Sequence, residues 1–135
     1  VYKRQVKLKY LPKWIEIRRK IAKIYHEELS NLKEIVLPPP PTNGRFYDVY
    51  QHYVIRVKER DSLSSFLEAR GIETMIFWPV PLHKQVALGL ESYHLPMTEK
   101  VSREVLALPI YPEMTEKDQA YVIGALKEFY NKIRH

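Results

Sequence analysis

The chain has 135 residues, of which 45% are hydrophobic and 28% are charged, so it can form one compact domain with a core and is unlike a disordered chain. Cysteine is absent, which excludes a disulfide framework and a thiolate metal site. The net charge of +6 allows a nucleic-acid partner, an anionic membrane surface or phosphorylated small molecules. There is no membrane-spanning run and no signal-peptide segment near Val1, so we expect a soluble, cytoplasmic protein without a membrane partner.

Residues 1–37 are predicted to form a basic start and one long helix. The helix begins at Pro12, a residue suited to the first helical turn, and ends between Leu29 and Leu32. Apolar residues at spacings of three and four define its predicted buried face: Trp14, Ile17, Ile21 and Ile24. The basic start holds four cations without an acidic neighbour: Lys3, Arg4, Lys7 and Lys9. Most of the remaining charge is interleaved with glutamate and is typical of a solvated surface.

Residues 38–44 contain four consecutive prolines followed by Thr42, Asn43 and Gly44. Prolines cannot continue a helix or pair within a central strand, so this segment is predicted to be a stiff, extended connector that ends in a turn. It separates the long helix from a small C-terminal α/β domain at residues 45–135.

The small domain is predicted to begin with a βαβ unit. Residues 50–57 are rich in aromatic and β-branched side chains and indicate a strand. Asp61 caps a short helix whose buried face carries Leu63, Phe66 and Leu67, and Gly71 takes the left-handed position after its last turn. Residues 72–77 indicate a second strand, so the two strands would lie parallel in one sheet.

The rest of the chain predicts a loop, two helices and a short strand. A loop bracketed by prolines leads into a helix at about 97–106 and a strand around 108–111. Thr115 caps the last helix, with Asp118 three residues on. The predicted buried stripe of that helix comprises Val122, Ala125, Leu126, Phe129 and Ile133. The predicted fold class is α/β (α+β), a long N-terminal helix with a small sheet covered by helices.

Residues 71–85 combine a buried strand with a Pro-x-Pro loop that contains Trp78 and His83. Loops at strand ends often carry binding groups on a rigid base. Trp78 is either a packing residue or a ligand platform, and His83 is either a hydrogen-bonding loop residue or a catalytic base. No metal site is predicted, because the histidines have no paired spacing with a third ligand and no obvious carboxylate near His83 or His94. The histidines are His26, His52, His83, His94 and His135.

Several segments, in the same order and spacing, resemble the nucleotide-sugar aminotransferase (DegT/DnrJ/StrS) family. Residues 71–85 resemble the family motif G-I-x-T-x-x-H-Y-P-x-P-L-H-x-Q, and residues 50–63 resemble V-Y-H-x-Y-V-I-R-V followed by R-D-x-L. Residues 17–22 resemble R-R-x-I-A, residues 99–109 resemble A-E-x-x-x-x-E-x-L-S-L-P, and residues 111–115 resemble Y-P-x-L-T. The resemblance runs from about residue 8 to the end of the chain.

This resemblance implies the C-terminal part of a fold-type-I enzyme that uses pyridoxal phosphate (PLP) to move an amino group, usually from glutamate, to a keto-sugar nucleotide. The family lysine that forms the Schiff base lies upstream of the long helix, so no catalytic residue is expected in this chain, and its cofactor-binding residues stay unassigned. The implied site wall is Phe77, Trp78, Pro79 and His83, with a positioning role. The implied partners are the chain's own N-terminal PLP domain, a second subunit in a homodimer and the nucleotide sugar. The chain alone is expected to be inactive.

Three residues of this chain depart from the family motifs at two places. Phe77-Trp78 stands where the family commonly has His-Tyr, and the phenyl ring of Phe77 can neither donate nor accept a hydrogen bond. The family histidine of the first strand falls on Gln51, and His52 beside it would point to the opposite face.

These departures favour an alternative, a non-catalytic regulatory or remnant module of the same family. A basic nucleic-acid-binding α/β domain is a third hypothesis, which the charge permits, although no RNA-recognition strand motif is present. We also expect self-association through Trp14, Ile17 and Ile21, because an isolated C-terminal part would expose its apolar faces.

Overall fold

A computed structural model describes the backbone of residues 2–134 and the side chains of residues 5–134. Lys3 and Arg4 of the predicted basic start therefore lie outside the described side chains, and His135 lies outside the described chain. Within residues 2–134, five α-helices and three β-strands follow in the order α1 Tyr2–Leu8, α2 Leu11–Leu29, β1 Ile35–Val36, β2 Tyr53–Val57, α3 Arg60–Glu68, α4 Pro96–Glu104, β3 Val105–Leu108 and α5 Glu116–Arg134. Short 3₁₀ turns form at Leu82–Lys84 and Val86–Leu88. The fold is of the α/β class, with helices packed on a small antiparallel sheet.

Helix α2 begins and ends close to the residues expected from its sequence, with Pro12 in its first turn. Its fully buried face is Ile21, Ala22, Tyr25 and Leu29. The prediction that Ile24 shares the buried face is wrong, because Ile24 is 38% exposed at the edge of the face. Ile21 lies inside the core and is not free to meet a second copy, so it was wrongly included in the predicted self-association surface.

The sheet has the order β1-β2-β3, and every pairing is antiparallel. The predicted βαβ unit is therefore wrong. Strand β2 is the central strand, with β1 and β3 paired on either side of it, and both pairings are antiparallel. Residues 72–77 form only an isolated antiparallel bridge, in which Met75 pairs with Ala107 of β3.

Two of the three strands, β2 and β3, are shifted from their predicted bounds for local reasons. Strand β2 starts at Tyr53 rather than Tyr50, because Tyr50 has a left-handed φ of 48° and donates its N–H to the Asp48 side chain at 2.7 Å. Strand β3 ends at Leu108, because Pro109 follows and has no N–H for the ladder. The predicted strand at 108–111 therefore lies three residues earlier, at 105–108.

Helix α3 ends in the turn that its sequence predicts. Gly71 has a φ of 72° and donates to the Glu68 carbonyl at 2.8 Å, while Ile72 donates to the Leu67 carbonyl at 3.0 Å. This pair of hydrogen bonds is a Schellman motif, and it sends the chain sharply away from the helix. At the other end the prediction fails: Asp61 lies in the first turn of the helix and is not its cap.

Helix α5 carries the predicted capping box. The Thr115 hydroxyl accepts the Asp118 N–H at 3.1 Å, and the Asp118 carboxylate accepts the Thr115 N–H at 3.3 Å. The buried face comprises Gln119, Val122, Ile123, Ala125, Leu126, Phe129 and Tyr130. Ile133 was wrongly placed in the buried stripe, because it is 52% exposed near the helix end, beyond the reach of the core.

A single core joins helices α2, α3 and α5 to one another and to the sheet. Its largest fully buried side chains include Tyr25 of α2, Tyr53 and Ile55 of β2, Leu67 of α3 and Leu126 of α5. No helix within residues 2–134 is long and apolar enough to cross a lipid bilayer. The division of the chain at residues 1–37, 38–44 and 45–135 stays a prediction.

The proline-rich connector folds back on α2 and is held there by Arg19. The guanidinium of Arg19 donates to the carbonyls of Thr42 and Asp48, both at 2.6 Å, and to the Asn43 side chain at 3.0 Å. It also lies over the Tyr47 ring, 3.9 Å from the ring centroid. The rigid, planar guanidinium reaches several acceptors at once, so this one side chain fixes the shape of the turn after the prolines.

Candidate functional site

The segment that carries the candidate site leaves the sheet at Met75. Two hydrogen bonds, Met75 N to Ala107 O at 3.2 Å and Ala107 N to Met75 O at 2.8 Å, fix this segment against β3. The chain then turns at Trp78, whose φ of 52° is left-handed and unfavourable for a large side chain. The loop continues through Pro79 and Pro81 into a 3₁₀ turn that contains His83. A strained loop on a fixed strand end is a common setting for binding residues.

An open, mainly apolar groove of about 980 Å³ lies between this loop, the segment before α4 and α4 itself. Its lining residues are Val54, Phe77, Trp78, Pro81, Leu82, His83, Leu90, Tyr93, Leu95, Met97, Thr98, Val101, Ser102 and Val105. Its size and composition, apolar walls with a few polar groups, are those of a site for a small organic ligand.

Three of the four predicted wall residues line this groove. Phe77 is half-buried, Trp78 is 70% exposed, and the His83 side chain is buried at 5% exposed. Pro79 is exposed beside the groove, and its carbonyl accepts the Ser102 hydroxyl at 3.2 Å. The loop therefore presents one aromatic platform and one shielded imidazole to the same space. The roles of these residues toward a ligand stay predictions.

The rings of His52 and Phe77 are in contact, with centroids 4.4 Å apart and planes inclined by 56°. Phe77 occupies one of the two positions where the family motif commonly has His-Tyr. An imidazole from the neighbouring strand region therefore lies directly beside this apolar replacement. Gln51 is exposed, and its carbonyl accepts the Arg18 guanidinium at 2.8 Å, which ties this turn to α2.

Glu99 was not predicted as a site residue from the sequence. His83 was expected to lack a carboxylate partner, but its Nε2 lies 3.1 Å from Glu99 Oε1. The hydrogen bond with His83, followed by the charges of Lys84 and His94, lowers the pKa of Glu99 below its ordinary value. Glu99 lies in the first turn of α4, where a carboxylate also favours the helix N-terminus. The available signal in the sequence was that Glu99 matches the first glutamate of the family motif A-E-x-x-x-x-E-x-L-S-L-P.

The described residues do not fit the covalent attachment of PLP. A lysine that forms a Schiff base needs a lowered pKa, which comes from burial or a neighbouring cation. Among the side chains of residues 5–134, no lysine is buried. Lys84, which lies in the 3₁₀ turn of the loop beside the groove, is exposed and pairs with Glu99 at 3.4 Å. Within the same residues, no group of three or more His, Cys, Asp or Glu side chains could hold a metal ion.

Proteins that are similar to this chain over most of its length include a regulatory protein and a transaminase. It is 41% identical over 129 residues to a pleiotropic regulatory protein of Geobacillus stearothermophilus, a match that covers 93% of this chain and 34% of that protein. It is 33% identical over 125 residues to the dTDP-3-amino-3,6-dideoxy-alpha-D-galactopyranose transaminase of Aneurinibacillus thermoaerophilus, covering 92% of this chain and 34% of the enzyme. The chain spans about a third of the length of these relatives.

Solved structures show the same fold. DesV of S. venezuelae, in complex with a ketimine intermediate, is 34% identical with a TM-score of 0.85, covering 93% of this chain and 34% of DesV. A DegT DnrJ EryC1 StrS aminotransferase from Brucella abortus is 32% identical with a TM-score of 0.81, covering 93% of this chain and 33% of that protein. The model of the DegT/DnrJ/EryC1/StrS aminotransferase family matches residues 4–127. The chain therefore belongs to the DegT/DnrJ/EryC1/StrS aminotransferase family.

Proposed function

We propose that this chain is the C-terminal part of a cytoplasmic, homodimeric aminotransferase that transfers an amino group from glutamate to a keto-sugar nucleotide. The observation that carries the proposal is the groove, in which Phe77, Trp78 and His83 of the most specific family motif meet around one ligand-sized space. The names of relatives support the substrate class, because they include transaminases of dTDP-linked sugars and an aminotransferase of a UDP-linked sugar.

In this proposal the chain forms a wall of the active site and does not perform the chemistry. PLP, bound through a lysine of the preceding N-terminal domain, supplies the electron sink for amino transfer. Phe77, Trp78 and Pro79 shape the wall, and His83 positions a polar group of the sugar nucleotide. The exposed indole of Trp78 gives the wall a flat apolar surface. The chain alone binds no PLP and has no activity, because the lysines among the described side chains of residues 5–134 lack a setting suited to a Schiff base.

A Trp78→Ala variant of the complete protein tests this proposal. PLP-loaded protein is mixed with glutamate and a dTDP- or UDP-linked keto-sugar, and the formation of 2-oxoglutarate and of the aminated sugar is followed by mass spectrometry. We expect Trp78→Ala to raise KM for the sugar about tenfold, because one desolvated wall contact of roughly 1.4 kcal/mol is lost. Phe46→Ala is the matched control, because Phe46 is an aromatic residue of similar exposure, 80% against 70% for Trp78, and lies outside the groove. Equal KM values for native protein and Trp78→Ala, or no product from native protein, would contradict the proposal.

A non-catalytic regulatory module is the second candidate. Two observations favour it: the relative with 41% identity is named a pleiotropic regulatory protein, and Phe77-Trp78 replaces the polar family pair. The coding sequence upstream of Val1 separates the candidates. An in-frame domain with a PLP lysine supports the aminotransferase, and a stop codon supports a remnant.

A further inference from the structure

Three polar side chains near the groove converge on one oxygen of Glu99. Glu99 Oε1 lies 3.1 Å from His83 Nε2, 3.4 Å from Lys84 Nζ and 3.9 Å from His94 Nδ1. The side chains of His83 and Glu99 are 5% and 20% exposed, whereas those of Lys84 and His94 are 40% and 80% exposed. His83 is therefore the principal partner, and this hydrogen bond is the one that water screens least.

Helix α4 holds the groove loop at two places from one side of the helix. Ser102, three residues after Glu99, donates its hydroxyl to the Pro79 carbonyl at 3.2 Å. The Ser102 carbonyl in turn accepts the guanidinium of Arg60, a largely shielded side chain of α3, at 2.7 Å. Glu99 and Ser102 thus fix the end and the beginning of the same loop. Trp78, directly before the first of these attachments, has a left-handed φ of 52°.

We propose that Glu99 is a positioning residue of the sugar-nucleotide site, where it keeps the proton of His83 on Nε2 and leaves Nδ1 to accept a hydroxyl of the sugar. A neutral imidazole has one N–H donor and one acceptor nitrogen, and an ionised carboxylate only accepts. The contact between Glu99 Oε1 and His83 Nε2 therefore selects one tautomer. This inference rests on the proposed function, because it assigns the ligand of His83 within the same groove.

The competing explanation is that Glu99 only stabilises the fold of the loop. In that case removal of the Glu99 carboxylate would lower thermal stability without a specific change at the His83 ring. A positioning residue acts through His83, so the effects of the two residues on ligand affinity cannot be additive. Tautomer and coupling energy together separate these explanations.

The experiment is a double-mutant cycle in the complete, PLP-loaded protein. Affinities for dTDP-glucose and UDP-glucose are measured by titration calorimetry for native protein, Glu99→Ala, His83→Asn and the double variant. The tautomer of His83 is read from its ring nitrogen shifts after ¹⁵N-histidine labelling. Glu99→Gln is the conservative variant, because its amide oxygen still accepts the Nε2 proton. Glu91→Ala is the matched control, because Glu91 is an exposed carboxylate of the same loop region outside the groove.

We expect Glu99→Ala to weaken binding of the probe about tenfold and to mix the His83 tautomers. We expect no further loss when Glu99→Ala is added to His83→Asn, near-native affinity for Glu99→Gln, and no change for Glu91→Ala. Additive losses, or an unchanged His83 tautomer in Glu99→Ala, would overturn the inference. Native protein that binds neither probe and forms no 2-oxoglutarate would overturn the proposed function, and with it the sugar ligand assigned to His83. In that case the ring nitrogen shifts still report separately whether Glu99 sets the tautomer.

Discussion

The turn at Gly71 directs the chain from α3 into the segment that carries the candidate site, and a Gly71→Ala variant tests how strongly the backbone there depends on glycine. Gly71 has a φ of 72°, and no atom lies within 4 Å of the Cβ that alanine would add. The cost is therefore conformational and not steric. The left-handed conformation costs an L-residue about 1–2 kcal/mol, and the stiffer unfolded chain offsets about 0.4–1 kcal/mol. We expect a net loss of about 1 kcal/mol in the free energy of unfolding.

Gly124→Ala is the matched control for this substitution. Gly124 lies inside helix α5, and the added Cβ again meets no atom within 4 Å. Its backbone is helical, so alanine should raise the free energy of unfolding by about 0.5–1 kcal/mol. The same chemical change is thus expected to have opposite signs at the two positions.

Urea unfolding followed by far-ultraviolet circular dichroism measures both variants against the native chain. With unchanged slopes, we expect the Gly71→Ala midpoint to fall by roughly 0.5 M and the Gly124→Ala midpoint to rise. A Gly71→Ala chain as stable as the native one would refute the role given to the left-handed turn. Equal losses at both positions would show that the added methyl group, and not the backbone, is responsible.

Three further predictions concern the cap of α5 and the connector. Thr115→Ala should lower the free energy of unfolding by about 1 kcal/mol, while Thr115→Ser retains the cap, as thermal unfolding would show. The hydrogen bonds from Thr115 lower the pKa of Asp118 in the folded chain. The ionised Asp118 carboxylate therefore stabilises the fold fully above its unfolded-state pKa, and this stabilisation is lost as the pH falls through the lower folded-state pKa. The free energies of unfolding of the native chain and of Asp118→Asn should therefore converge at pH values below the ordinary pKa range of aspartate. A difference that stays constant with pH would contradict this. Arg19→Lys removes the guanidinium fork, so amide hydrogen exchange at residues 42–48 should accelerate, and unchanged exchange would show that Arg19 does not hold the turn.

The sequence predicted those parts of the fold that local chemistry determines. Helix α5 starts after Thr115 because the capping box with Asp118 is complete within four residues. The turn at Gly71 depends only on the preceding helix and on the backbone freedom of glycine. Such signals lie within one turn of the residues they organise, so the printed sequence suffices to find them.

The pairing of strands was not predictable in the same way, because it depends on distant residues. Residues 72–77 have the composition of a strand, yet β3 occupies the edge of β2 that they would need. One partner of β2 thus comes from just over fifty residues further along the chain, where Leu106 and Ala107 pair with Ile55 and Val54. Local composition gives strand propensity but not the identity of the partner.

In the candidate site, too, the residues within one sequence motif were predicted and the residue distant in sequence was not. The resemblance to a family pointed to Phe77, Trp78 and His83, which the structure brings to one groove. Glu99 was missed because it is 16 residues from His83 and approaches it only through the packing of α4. Motif reading found the residues adjacent in sequence, and only the fold revealed the carboxylate that holds one of them.

The central claim is that this chain forms a wall of the site while the reactive lysine lies outside it. The most direct measurement is borohydride reduction of the complete PLP-loaded protein, followed by mass-spectrometric mapping of the modified lysine. We predict a single pyridoxyl-lysine on a peptide outside these 135 residues. A stoichiometric pyridoxyl group on Lys84, or on any other lysine of this chain, would contradict the account.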